Sequence, residues 1–122
     1  MRNGLYATVS GKEYAAQKQP DGTYRIFSEQ EEDGFSWDGQ RWSRSVQKDE
    51  ISRMVSVKTV GVLGASRMTV YPVDGETCRV VTANKELAEV LGMEKLGRAE
   101  FQKNVPVEKL KSITEIVEEV SL

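Results

Sequence analysis

The 122-residue sequence contains no histidine. That absence removes Ser-His-Asp and Cys-His catalysis, histidine-ligated zinc, and the commonest general base near neutral pH. There is one cysteine, Cys78, so neither an intramolecular disulfide nor a thiolate metal cluster can form. Its place between Thr77 and Arg79 in a strand-like stretch marks it as a small, half-buried residue rather than a nucleophile. Long apolar runs are missing too: the longest span only a few residues, against the ~20 that a membrane helix needs. The opening Met1-Arg2-Asn3-Gly4 is polar and holds no apolar segment of signal-peptide length. A cytoplasmic protein with no membrane partner is the expectation. Neither sign of charge dominates, because 17 Lys and Arg stand against 19 Asp and Glu for a net charge of -2. A whole-surface attraction to nucleic acid is therefore not expected.

What is present is turn chemistry between short runs of strand formers. The length suits one domain over residues 1–122 with a real core. Leu5 to Val9 reads as a strand, Ser10-Gly11 as a hairpin turn, and residues 13–18 as its return. Pro20-Asp21-Gly22 is a turn with a mechanism, since proline presets φ, aspartate bonds locally and glycine accepts the left-handed region. Residues 23–28 follow as a third strand, and Asp38-Gly39 separates Trp37 from a strand holding Trp42, the strongest core candidate of its segment. The spacing of Ile51, Met54 and Val55 predicts a short helix over residues 48–55.

The second half repeats the plan. Strands are expected near residues 58–63, 67–71 and 77–82, with turns at Gly64-Ala65-Ser66 and Asp74-Gly75. Asn84 is placed to cap a helix over residues 85–91 that Gly92 closes. Pro106 then suits the start of a last helix, whose stripe would be Val107, Leu110, Ile113, Ile116, Val117 and Val120. Asp21-Gly22 aligns with Asp74-Gly75, Gly34-Phe35 with Gly92-Met93, and Ile51 and Met54 with Leu110 and Ile113. The predicted fold class is α+β, with two pseudo-symmetric β-β-β-(loop or α)-β-α repeats at about 4–57 and 58–120. They would share one core, as a mainly antiparallel sheet with helices packed on it.

Few residues point to chemistry. Glu29, Glu31, Glu32 and Asp33 form an acidic connector, but it lacks the alternating pattern and central glycine of a calcium loop, and reads as a solvated segment. No pair of acids is singled out for glycosidase-type catalysis. Arg41, Arg44, Arg53, Arg67, Arg98 and Lys103 are scattered over strand faces rather than gathered in a nucleic-acid patch. Gly61-Val62-Leu63-Gly64 lacks the lysine and helix start of a phosphate cradle. Trp37 reads first as a tryptophan capping the sheet edge; exposed beside carboxylates, it would instead make a binding anchor. No metal, no cofactor and no enzymatic activity are expected.

The opening Asn3-Gly4-Leu5-Tyr6-Ala7, the Gly11-Lys12-Glu13-Tyr14 hairpin and the Trp42–Val46 block ahead of Glu50-Ile51 resemble small bacterial immunity proteins of polymorphic toxin systems. The resemblance implies a single-domain, non-catalytic inhibitor that covers a cognate toxin domain. Basic toxin nucleases would be steered by acidic loops. The expected partner-binding residues are Glu31, Glu32, Asp33, Trp37 and Asp38, on a monomer or weak homodimer. A regulatory or structural adaptor of phage or mobile-element type, binding another protein, is the alternative; an enzyme or small-ligand binder with an acidic site ranks third.

Overall fold

The computed structural model describes residues 1–122. Its strands are β1 (Gly4–Val9), β2 (Lys12–Lys18), β3 (Tyr24–Ser28), β4 (Ser36–Trp37), β5 (Trp42–Val46), β6 (Ile51–Leu63), β7 (Ser66–Pro72), β8 (Thr77–Thr82), β9 (Glu94–Leu96), β10 (Glu100–Pro106) and β11 (Leu110–Glu119). The one α-helix, α1, is Lys85–Leu91. All strands belong to one sheet in the order β4-β5-β3-β2-β1-β6-β7-β8-β10-β9, with β11 paired to β6. The ladder from β4 to β9 is antiparallel throughout.

This overturns the α+β expectation of helices packed on a sheet. Lys48–Glu50 is a single 3-10 turn, and Ile51 begins the longest strand, of 13 residues. The helix-like spacing has a specific cause. Val9 pairs with Ile51 but Thr8 pairs with Arg53, so the register shifts and Ser52 is an extra residue. A bulge of this kind lets residues three apart share a face, and Ile51 and Met54 enter the same buried cluster. The C-terminal stripe is also a strand: Val107–Lys109 is a 3-10 turn and β11 follows. Its β-branched Ile113, Thr114, Ile116 and Val117 favour extended backbone once β6 offers an edge.

Locally encoded features lie where expected. Ser10 and Gly11 have φ of 52° and 80°, the paired positive values of the tight turn that suits the twist of β1 and β2. Asn84 caps α1 by accepting from the Leu87 N–H at 3.0 Å, and Gly92 closes it in the left-handed region at φ 66°.

The chain divides into two compact units, Gly4–Val57 with Val117–Leu122, and Met1–Asn3 with Lys58–Ile116. Each has its own apolar cluster, in place of the single shared core expected. The first gathers Ala7, Val9, Tyr24, Ile26, Val46, Ile51 and Met54, with Leu5, Tyr14, Phe35 and Val120 against it. The second gathers Met68, Val70, Cys78, Val80 and Val105, flanked by Leu87 and Leu91 of α1 and by Leu110. Cys78 is fully buried, and burial pushes its thiol up. Within the first unit the ladder runs β4-β5-β3-β2-β1-β6; within the second it runs β9-β10-β8-β7-β6, with β11 on β6. In both units a strand stands where a terminal helix was expected.

Candidate functional site

The acidic connector between β3 and β4 is anchored to the sheet rather than free. Pairing of β2 with β3 sets Lys12, Tyr14 and Ser28 around one carboxylate. Glu32 accepts from the Tyr14 hydroxyl at 2.7 Å, from Lys12 Nζ at 2.9 Å and from the Ser28 hydroxyl at 2.5 Å. These bonds, that from Ser28 foremost, hold the Glu32 carboxyl down to about 2. Burial, reinforced by the bond to Glu32, pushes the Tyr14 hydroxyl up. Lys12 is also raised, chiefly by its bond to Glu32. Three residues on, the Phe35 ring packs 5.4 Å from Tyr14 and lies under the Arg44 guanidinium.

Of the expected contact residues, Glu32 therefore serves the loop's own attachment. Its neighbours Glu31 and Asp33 are exposed on either side of that anchor. Asp38 likewise turns inward on its own loop. Its Oδ1 accepts from the backbone N–H groups of Gln40 and Arg41, both at 2.9 Å, and its N–H donates to the Arg41 carbonyl at 3.0 Å. Those two backbone donors lower its carboxyl.

Trp37 stands apart. It occupies the outermost strand of its ladder, which is two residues long, and is 56% exposed. It pairs directly across from Trp42, and the two indoles meet edge to face with centroids 5.6 Å apart. Trp42 is consequently half-buried at the rim of the ladder and lies outside the first unit's buried cluster, a correction to its expected core role. The sequence put Arg41 on a strand face without a partner, but its guanidinium lies 3.4 Å over the Phe27 ring. Phe27 pairs with Ser43, and alternation along a strand puts Arg41 on the side of Ser43; that parity was the available signal.

No three Asp, Glu, Cys or His residues gather where they would hold a metal ion. A groove of about 400 Å³ in the second unit is lined by Lys58, Val60, Arg67, Thr69, Val81 and Ile116 among others, with no carboxylate. No helix is long and apolar enough to cross a membrane.

A family model described as "Uncharacterised conserved protein UCP033725" matches residues 1–120. The chain belongs to that family. The UCP033725 match covers every strand and the helix α1. No curated protein and no solved structure matches the chain.

Proposed function

We propose that this protein is a non-catalytic protein-binding protein whose contact surface is the β4–β5 hairpin with its preceding acidic loop. The observation that carries the reading is Trp37: a large aromatic, more exposed than not, braced by a cross-strand partner. Rigid aromatic anchors rimmed by polar groups are the usual energetic centres of protein interfaces. Glu31 and Asp33 supply exposed negative charge beside it, suited to steering a basic partner. In its specific form the proposal is a cytoplasmic immunity protein whose partner is a basic toxin domain.

The test is co-purification of the full chain with the product of the adjoining gene, paired with a growth-protection assay during toxin expression. Trp37→Ala and the double charge reversal Glu31→Lys/Asp33→Lys should each weaken capture, the charge reversal with the melting temperature unchanged and Trp37→Ala with only the small loss that its contact with Trp42 contributes. Unaltered capture by Trp37→Ala would reject this surface. Capture without protection would select the adaptor reading over the immunity reading.

A further inference from the structure

We propose that the outer edge of β11 is a self-association surface, on which a second copy of this chain pairs antiparallel about a two-fold axis at Ile113. The inference concerns assembly and is independent of the proposed function.

The ladder's own ends are poorly suited to accept a partner. β4 has two residues and β9 three, and short edge strands offer few backbone groups to another chain. β11 differs. It has 10 residues, pairs with β6 along one edge and pairs with no strand along the other. Residues 111–116 are all exposed, Ile113 at 40% and Ile116 at 36%. Open edges of this length are normally blunted by proline or by charge; here the strand holds no proline, and Ser112, Ile113 and Thr114 form an uncharged run between Lys111 and Glu115.

The occupant follows from the sequence of the edge itself. Around Ile113 the strand is a palindrome of chemical character: Ser112 mirrors Thr114, and Lys111 mirrors Glu115. In an antiparallel pair centred there, Lys111 lies opposite Glu115 of the second copy and Ser112 opposite Thr114. Ile113 meets its own counterpart. Opposite charges, hydroxyl pairs and apolar pairs are the cross-strand combinations that stabilise sheets, and symmetry makes the first two occur twice. Lys111 has no partner within the chain. Glu115 takes Arg2 Nε at 2.9 Å yet stays 36% exposed on its side chain, leaving oxygen lone pairs for a second donor. Neighbouring registers are worse: centring on Thr114 sets Ile113 against Glu115, and centring on Glu115 sets two carboxylates face to face.

Sedimentation velocity of the full chain over a dilution series tests the proposal. The wild type should sediment as a dimer that dissociates on dilution. Ile113→Lys should be monomeric, with an unchanged far-ultraviolet circular dichroism spectrum. Lys111→Glu, on a solvated side chain, should weaken the dimer roughly tenfold through two symmetry-related pairs, and the exchange Lys111→Glu/Glu115→Lys should recover most of that loss. If Ile113→Lys fails to fold, the Lys111 variants decide. A wild type that stays monomeric at the highest concentration overturns the proposal, as does a dimer indifferent to both single substitutions. Failure of the exchange to restore association overturns the register.

Discussion

The side chain of Asn3 stands in for a strand neighbour of Thr59: its Oδ1 accepts from the Thr59 N–H at 2.8 Å. Thr59 is fully buried and falls between the last residue of β6 paired with β1, Val57, and the first paired with β7, Val60. The same amide donates through Nδ2 to the Val70 carbonyl at 2.9 Å, and the Thr59 hydroxyl donates to the Arg2 carbonyl at 2.7 Å. One side chain thus satisfies a donor and an acceptor that the change of partners would orphan. Asn3→Ala should destabilise by about 2–4 kcal/mol, the cost of leaving both groups unpaired. Asn3→Asp keeps only the acceptor and should also lower the melting temperature. Thermal unfolding by circular dichroism checks both; wild-type stability in Asn3→Ala would show that water replaces the amide.

Glu32 links stability to acidity. Its folded carboxyl lies at about 2, below the 4.5 of a free glutamate. A lowered folded value means the contribution is complete above the unfolded value and is lost as pH falls through the folded one. Wild type should therefore exceed Glu32→Gln in melting temperature at neutral pH, with the gap closing between pH 4.5 and about 2. Paired melts across that window check it. A gap that persists undiminished at pH 2 would mean the ion pair and its hydrogen bonds are not the source.

Gly61 has no room for a side chain. A Cβ there would sit 2.7 Å from Val70 Cγ2, 3.1 Å from Leu110 Cδ1 and 3.2 Å from the Ser112 carbonyl. Val70 is fully buried and branched, so it cannot swing aside cheaply. Gly61→Ala should cost about 1–3 kcal/mol, the usual range for overpacking. Chemical denaturation measures it directly, and a neutral result would require Val70 as well as Leu110 to give way.

The indole pair predicts a coupling. Trp42 is half-buried at the rim of its ladder, so Trp42→Ala should cost about 1.5–2.5 kcal/mol, roughly half the loss of a fully buried aromatic. Trp37→Ala should cost less. A double-mutant cycle between them should return about 0.5–1.5 kcal/mol for the edge-to-face contact. Additive single losses would show the rings to be independent.

Legibility in the sequence follows the range of the interaction involved. Turns and caps were readable because their chemistry is local. Asp21 bonds the Thr23 N–H at 3.0 Å, Asp74 bonds the Glu76 and Thr77 N–H groups at 2.8 Å, and Asn84 caps α1. Residues 48–55 and 107–120 were misread because apolar spacing alone cannot separate a helix from a bulged strand. The β-branched content of Ile51, Val55 and Val57, and of Ile113, Ile116 and Val117, was the better guide. At the candidate site, the place of Trp37 at the sheet edge was anticipated. The inward turn of Glu32 was not, because it depends on β2 and β3 being neighbours, a pairing that brings Lys12 within 2.9 Å of a residue 20 positions away.

The division of the chain into units has a consequence for anyone wishing to cut it. The boundary between Val57 and Lys58 falls inside β6, not in a loop. The unit built from Gly4–Val57 also needs Val117–Leu122, and the unit built from Lys58–Ile116 also needs Met1–Asn3. Expressing residues 1–57 or 58–122 alone would yield two fragments, each stripped of a terminal segment carried by the other. Whatever its ancestry, neither half is a detachable module, and insertions or tags belong in the solvent-exposed turns.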